Sequence, residues 1–509
     1  MAQFVHILWT ARYFGVRGDE QITLEWSLLP VGGVLEATGQ DIHPPLFYLV
    51  LHFVLLSPLD VIVAGKLLAL AMTVGLLCLT PVVARELGFG RRTQEAGLLL
   101  TAVSPLLWQY GIIIRPYTMA ALLFVACVIA AMRTIRTRSR GARVALVTSL
   151  VLLVYVNYLA ALCAFLAVNL LYLGWRDRST TSPKAWVLTQ AAGVLPLLPI
   201  IGLLLDQTAH AARIQTSAGV ASSGVTGVAA RLAYWCYGMM TGETLLQPFL
   251  LIPLLGAFGA VMISGIGARA RLRADVRRAL YASVAIALGI LVTYVVVASL
   301  VFRGELFTAG PARTLMAVPF VSLVLAHVLR EKIRSAPRTG VAVAVVISLC
   351  WLSAEANEVL GRDYFRTTDA VPRAEIARAV REHAGPGSHV FVDAPFGTDI
   401  ASMLEREGVS ASVIWDRSRD AYRGHLDSVL RGEDTGGVLV RYDRDLTDGA
   451  STWFLDRLRS ARPGLTESGS YGPTPALVRW LNARAGRSDP AYQVTVHTWP
   501  GAASPAPSR

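Results

Sequence analysis

The run VIVAGKLLALAMTVGLLCLTPVVA, residues 61–84, followed at once by Arg85, decides the fold class. Its only charged side chain is Lys66. About 20 apolar residues of helix suffice to cross the hydrocarbon layer of a bilayer. Comparable runs recur at 95–114, 116–132, 143–156, 158–175, 185–205, 246–266, 279–302, 313–330 and 339–355. The composition agrees: of 509 residues, 54% are apolar and 16% charged, where soluble domains carry about 25% charged residues. A soluble enzyme, a disordered chain and a disulfide scaffold are excluded. The sequence reads as a polytopic α-helical membrane protein with about ten spans.

The net charge of +12 points the same way, because the cations sit in clusters between apolar runs. The clusters are Arg85, Arg91 and Arg92; Arg133, Arg136, Arg138, Arg140 and Arg143; Arg176, Arg178 and Lys184; Arg269, Arg271, Arg273, Arg277 and Arg278; and Arg330, Lys332, Arg334 and Arg338. Cytoplasmic loops are marked in this way, so nucleic acid is not expected as a partner. The intervening loops then face outward, among them the Arg115–Pro116 turn, the bend at Asn157, the aromatic 206–245 loop (Tyr234, Trp235, Tyr237) and everything after about 356. If Asp41–Pro45 lies outside, residues 46–84 must cross an odd number of times. Residues 1–14 are too short to span, and an upstream helix missing from this sequence is expected. The five cysteines form no CxxC pair, so neither zinc nor a disulfide framework is supported.

Beyond about residue 356 the pattern changes. The expected organisation is a first outer loop region at 1–45, a helical membrane domain at 46–355, an extracytoplasmic α/β domain at 356–484 and a disordered tail at 485–509. Within the α/β domain, helices are expected at 372–383, 397–406, 420–431 and 450–461. Strands are expected at 388–393, 410–415, 437–442 and within 466–482, in a Rossmann-like layer arrangement. No GxGxxG follows the first strand, so nucleotide binding is unsupported. Asp393 and the Trp415–Asp416 pair read as ordinary loop polarity or as carbohydrate contacts.

The chemistry-bearing residues gather near the start: Arg17-Gly-Asp19-Glu20-Gln-Ile-Thr23, then Asp41-Ile-His43-Pro44-Pro45-Leu-Phe-Tyr48. Here the sequence resembles the GT-C class of polytopic glycosyltransferases, nearest to the PMT/ArnT-like, polyprenyl-phosphate-sugar-dependent, mannosyltransferase-like actinobacterial branch. Those enzymes carry an acidic pair after the first helix, often followed by Thr, and then D-x-H-P-P-L-x-Y about twenty residues on. Further matches are Lys66, the segment Ser104-Pro105…Trp108-Gln-Tyr110…Arg115-Pro-Tyr117, and Arg313-Thr-Leu…Pro319. Two departures stand out. Ile112–Ile113 replaces the Gln-Glu usual before x-Arg-Pro-Tyr, and Asn157 stands where relatives often have His.

The resemblance implies sugar transfer from a polyprenyl-phosphate-linked donor to a glycan, lipid or protein acceptor at the outer face, in contact with membrane lipids and with inversion. One carboxylate base suffices for such a step, since a phosphate leaves without much acid help, and cations must meet the departing charge. Asp19 is the expected base, with a helix cap as its alternative reading. Asp41 is expected to assist it or to fix the His-Pro-Pro corner. Glu20, His43, Lys66, Arg115, Tyr117, Arg303 and Arg313 are expected to bind substrate. The arginines suit a lipid phosphate because guanidinium grips two oxygens, though interfacial anchoring is their other reading. No ligand cluster decides for or against a divalent cation. A catalytically inactive GT-C relative with a binding or scaffolding role, or a lipid or sugar transporter, are the rival readings.

Overall fold

The structure, a computed structural model, describes residues 16, 19–41, 43–202, 207, 225–242, 254–260, 272–301, 311–359, 373–385, 387–394, 397–414, 423, 426, 427, 436–444, 449–471 and 492–500. They form two compact units. One comprises Thr23–Ala356; the other joins Met1–Ile22 to Asn357–Arg509. The expected missing helix before residue 1, Arg303 and the Trp415–Asp416 pair all fall outside the described residues.

The first unit is helical. In chain order the described helices are α1 (Asp19–Leu28, whose first turn belongs to the other unit), α2 (Val31–Gln40), α3 (Leu46–Leu55), α4 (Val61–Leu87), α5 (Arg91–Ala102), α6 (Pro105–Tyr110) and α7 (Tyr117–Arg136). There follow α8 (Arg140–Val156), α9 (Tyr158–Gly174), α10 (Pro183–Val194), α11 (Val225–Thr241), α12 (Ala274–Val301), α13 (Val318–Ser335) and α14 (Pro337–Val359). Among the described residues, five helical stretches are long and apolar enough to cross a membrane: Val61–Leu87, Tyr117–Arg136, Ala274–Val297, Pro311–Ser335 and Pro337–Ala356. In the most apolar 18 residues of Tyr117–Arg136 and of Pro311–Ser335, 78% are buried, against 33% in Pro337–Ala356. The first two therefore form the inside of the bundle, and α7 packs on α4, α8 and α9.

Local chemistry explains the helix boundaries. Asp60 caps α4 by accepting from the Ile62 and Val63 amides, both at 3.0 Å. Asn157 separates α8 from α9 and accepts from the Ala160 amide at 2.9 Å. The residue that departs from the family pattern is thus a good helix cap. The expected run 95–114 is broken. Pro105 holds Ser104 in an extended conformation (ψ 124°) and opens α6 at its first position, where a missing N–H costs nothing. The expected 206–245 loop contains a helix, α11. Its aromatic residues Tyr234, Trp235 and Tyr237, expected in an outward loop, lie along this helix instead. The expected span 246–266 lies largely outside the described residues.

The second unit carries a five-stranded sheet in the order β2-β1-β3-β5-β4. Its strands are β1 (His389–Asp393), β2 (Ser412–Val413), β3 (Gly437–Arg444), β4 (Thr466–Tyr471) and β5 (Tyr492–Trp499). β1 pairs parallel with β2 and β3, but β5 runs antiparallel to both β3 and β4. Alternation along the strands makes two apolar faces. Val390, Val392, Val438, Val440, Val494 and Val496 pack on one side with α15 (Arg373–His383) and α16 (Gly397–Arg406). Phe391, Leu439 and Trp499 face α17 (Gly449–Ala461) through Phe454 and Leu458. Three layers result, but with a mixed sheet in place of a wholly parallel, Rossmann-like one. The expected disordered tail is corrected at its centre: Tyr492–Trp499 is an interior strand. Its Val494-Thr-Val496 alternation buries two valines on one face, which the surrounding Pro, Ser and Ala disguise in the sequence.

One buried ion pair fixes this unit. Arg373 Nε donates to Asp399 Oδ2 at 2.9 Å, with Arg373 1% and Asp399 5% exposed. Removing one partner strands the other charge, at a cost of about 3–5 kcal/mol. Arg373→Ala is therefore expected to unfold the α/β unit at markedly lower temperature in the purified full chain. Limited proteolysis across a temperature ramp checks it, and an unchanged cleavage midpoint would contradict the assignment.

Candidate functional site

The site within the helical unit starts from a corner. α2 ends at Gln40, Asp41 follows in extended conformation, and Pro45 caps α3. The prolines that follow keep His43 out of helix, within reach of Asp41. His43 Nδ1 lies 2.5 Å from Asp41 Oδ2. Its other nitrogen, Nε2, lies 2.9 Å from Arg115 Nη2. Arg115 Nη1 donates to Thr23 Oγ1 at 3.0 Å.

These contacts fix the tautomer. Guanidinium has only donors, so Nε2 must accept and cannot carry a proton. Nδ1 then holds the imidazole hydrogen and donates it to Asp41. A cation and an anion are joined through a neutral ring, and α1, the His-Pro-Pro corner and the turn before α7 are tied together. Trp26 and Tyr48 wall the ring, with centroids 6.4 and 6.2 Å from that of His43. The Arg115 guanidinium carbon sits 5.9 Å from the Tyr117 ring centre.

Arg115 reaches this position because α6 stops at Tyr110 and the chain turns before α7 begins. Ile114 in that turn is fully buried against Gly65 of α4, where an added Cβ would lie 2.7 Å from Ile114 Cδ1. Lys66, the next residue, is 2% exposed. Arg313 stands in a 3-10 turn, Pro311–Ala317, that leads into α13, and its charge acts on the His43 imidazole. The structure thus gathers Asp41, His43 and Arg115 directly, Tyr117 beside them and Arg313 within electrostatic reach. Asp19 and Glu20 open α1 in the other unit; Asp19 is exposed and Glu20 is 1% exposed. Gln21 of the same turn donates to Ser402 of α16, also in that unit.

Sequence reading passed over Thr23 and Trp26 as site members. The signal was present: Thr23 stands four residues after Asp19 and three after Glu20, and Trp26 three further on, so one helix face carries them all. Of the two isoleucines in place of Gln-Glu, Ile112 is part of the packing at 3% exposed and Ile113 is half-buried. Among the described residues, no three His, Cys, Asp or Glu side chains group as metal ligands.

The fold is similar to that of solved membrane proteins. ArnT from Cupriavidus metallidurans, in its apo state and bound to undecaprenyl phosphate, matches with a TM-score of 0.54 and 12% identity, over 97% of this chain and 96% of that one. Arabinofuranosyltransferase AftD from mycobacteria gives a TM-score of 0.43 at 16% identity, over 98% of this chain and 39% of AftD, too loose a likeness to carry an argument. No protein-family model and no curated protein matches the chain. The chain thus has a GT-C class fold, that of ArnT, and is an integral membrane protein. The likeness at this identity extends to the fold alone.

The His43 imidazole is held below its ordinary value of 6.5, chiefly because burial disfavours the cation; the Asp41 hydrogen bond opposes this and Arg115 adds to it. With the folded value depressed, the unfolded chain takes up the proton first as pH falls. Stability is then full above the ordinary value and is lost progressively as pH drops through the lower, folded-state one. The thermal midpoint is expected to fall between about pH 7.5 and about pH 5.5, and less so in His43→Gln, which keeps a donor and an acceptor but does not titrate. Equal pH dependence in the two proteins would contradict the neutral-imidazole assignment.

Proposed function

We propose that the protein is a membrane glycosyltransferase that moves a sugar from a polyprenyl-phosphate-linked donor to a cell-envelope acceptor at the outer face of the bacterial plasma membrane. The observation that carries this reading is the buried Arg115 guanidinium bonded to the Asp41–His43 corner. A guanidinium on a polar corner in an apolar bundle suits a departing lipid phosphate, and Arg313 is proposed as its second cation. The ArnT fold supports the same class, and one ArnT structure is bound to undecaprenyl phosphate.

In the proposed step Asp19 takes the proton of an acceptor hydroxyl. The freed oxygen forms a bond to the anomeric carbon from the face opposite the phosphate. The carbon–oxygen bond to phosphate breaks, its electron pair stays on the phosphate, and the configuration inverts. Arg115 and Arg313 meet the charge that develops there. Asp19 is assigned the base role over Glu20 because it is exposed while Glu20 is buried. His43 orients Asp41 and Arg115; Lys66, Tyr117 and Arg303 complete the proposed donor site. A divalent cation is left open. The ten-span count and the outer location of the α/β unit belong to this proposal too. One observation favours a second reading, an inactive relative that only binds: Ile112–Ile113 in the place of Gln-Glu.

The test is transfer of labelled sugar from a panel of polyprenyl-phosphate sugars by purified protein. Loss of a general base typically costs about 10²–10⁴-fold, and Asp19→Asn is expected to fall in that range. Arg313→Ala is expected to lose about 10²-fold or more, as when one stabilising donor of a developing charge is removed. Transfer that survives Asp19→Asn removes Asp19 as base, and donor binding with no transfer from any donor favours the inactive relative. For orientation, Glu405→Cys on the exposed side of α16, in a background lacking the native cysteines, is expected to react with an impermeant maleimide only from outside intact cells. Labelling only after permeabilisation would reverse the orientation.

A further inference from the structure

Both arginines of the proposed donor site stand on short, irregular segments. Arg115 follows α6, a helix of 6 residues, and Arg313 sits in a 3-10 turn whose next residue, Thr314, departs from helical geometry (φ −111°, ψ 17°). Neither segment has enough backbone hydrogen bonding to hold a guanidinium in place by itself. One further element touches both. Along α11, Trp235 is 8% exposed and its indole Nε1 donates to Thr314 Oγ1 at 2.8 Å. The Thr314 hydroxyl passes its own hydrogen to the Pro311 carbonyl at 2.7 Å. That closes the turn around Arg313 from within. Thr314 is fully buried, so these bonds are not exchanged with bulk water.

At the carboxyl end of α11, Thr241 is fully buried and donates to the Tyr237 carbonyl at 2.8 Å. Gly242 then adopts φ +62°, and a Cβ there would lie 2.7 Å from the Pro105 backbone carbon and oxygen. Only glycine combines that left-handed backbone with so close an approach. Pro105 is the first residue of α6. Thus α11 seats against the start of the segment that delivers Arg115 and bonds to the turn that delivers Arg313.

We propose that α11 is a strut that sets the spacing of Arg115 and Arg313, with Trp235, Thr314 and Gly242 as its positioning residues. None of the three is required to touch substrate. The proposal rests on the reading that the two arginines hold the donor phosphate. It assigns Trp235, from the sequence's aromatic 234–237 stretch, a role in geometry. Because the indole has one donor and the hydroxyl accepts it while donating onward, the pair acts as a unit. Losing the indole donor breaks one of these bonds, and losing the Thr314 hydroxyl breaks both.

Trp235→Phe removes only the donor, Thr314→Val only the hydroxyl, and Thr314→Ser restores the hydroxyl. Binding of undecaprenyl phosphate to the purified full chain and the donor KM in the transfer assay are the functional readouts. A single buried hydrogen bond commonly corresponds to about fivefold in an equilibrium. Trp235→Phe is expected to weaken undecaprenyl phosphate binding and raise donor KM about fivefold, and Thr314→Val at least as much, with acceptor KM unchanged. The double variant is expected to be no worse than Thr314→Val alone, and Thr314→Ser to bind as the wild type does. Multiplying effects in the double variant, or wild-type binding by Thr314→Val, would overturn the strut.

Amide exchange over residues 312–317 gives a readout that needs no donor. Trp235→Phe is expected to speed it about fivefold while the thermal midpoint stays close to wild type. If the wild type neither binds undecaprenyl phosphate nor transfers sugar, the functional reading falls and exchange alone decides the strut. Unchanged exchange overturns it. If instead Arg313→Ala abolishes binding while the strut variants bind and exchange normally, the donor site stands and the strut does not.

Discussion

A guanidinium 4% exposed inside an apolar bundle is the constraint from which the rest of the helical unit follows. Arg115 cannot shed its charge at any ordinary pH, so burying it without acceptors would cost several kcal/mol. A typical net hydrogen bond contributes only about 1 kcal/mol. Satisfying the cation therefore outweighs local preferences nearby. It takes an acceptor from Thr23, 92 residues earlier, and another from His43, 72 residues earlier. His43 accepts only as a neutral ring, which in turn needs Asp41 to receive its other hydrogen. The proline corner, the turn before α7 and Thr23 are joined by this one requirement.

The supporting elements are of two kinds. Long apolar helices such as α4 and α7 give a frame that depends on burial and hardly on particular residues. Short segments carry the chemistry: the 41–45 corner, the turn before α7 and the 3-10 turn before α13. Each is irregular, so each needs side-chain bonds to stay put. Gly65 against Ile114 and Trp235 against Thr314 supply that fixity. A rigid frame with polar groups on its irregular joints is a common way to place functional groups accurately. The α/β unit is built differently, from a sheet apolar on both faces and a buried Arg373–Asp399 pair.

Much of this was legible from residue order. The run at 61–84 became α4 almost as read, and Asn157 is the bend between α8 and α9. Helix 397–406 and strand 389–393 lie where the periodicity put them. The Asp41–His43 contact is local, two residues apart, and the motif pointed to it. The misreadings share a cause. Residues 225–241 and 492–499 are weakly patterned segments whose structure comes from distant partners. β5 exists because β3 and β4 leave a place between them, a fact no window of sequence contains.

The sequence by itself determined that the chain is a membrane bundle with an α/β unit and that its polar groups crowd the first loop. Bilayer-length apolar runs and a proline-fixed corner are short-range properties, readable along the chain. Only the tertiary structure decided that Arg115 bonds Thr23 and His43, that Arg313 comes within reach of the same ring, and that α11 braces the segments beneath both arginines. Those depend on which helix faces meet across tens to hundreds of residues. A buried charge can choose its acceptors only after the chain has packed around it.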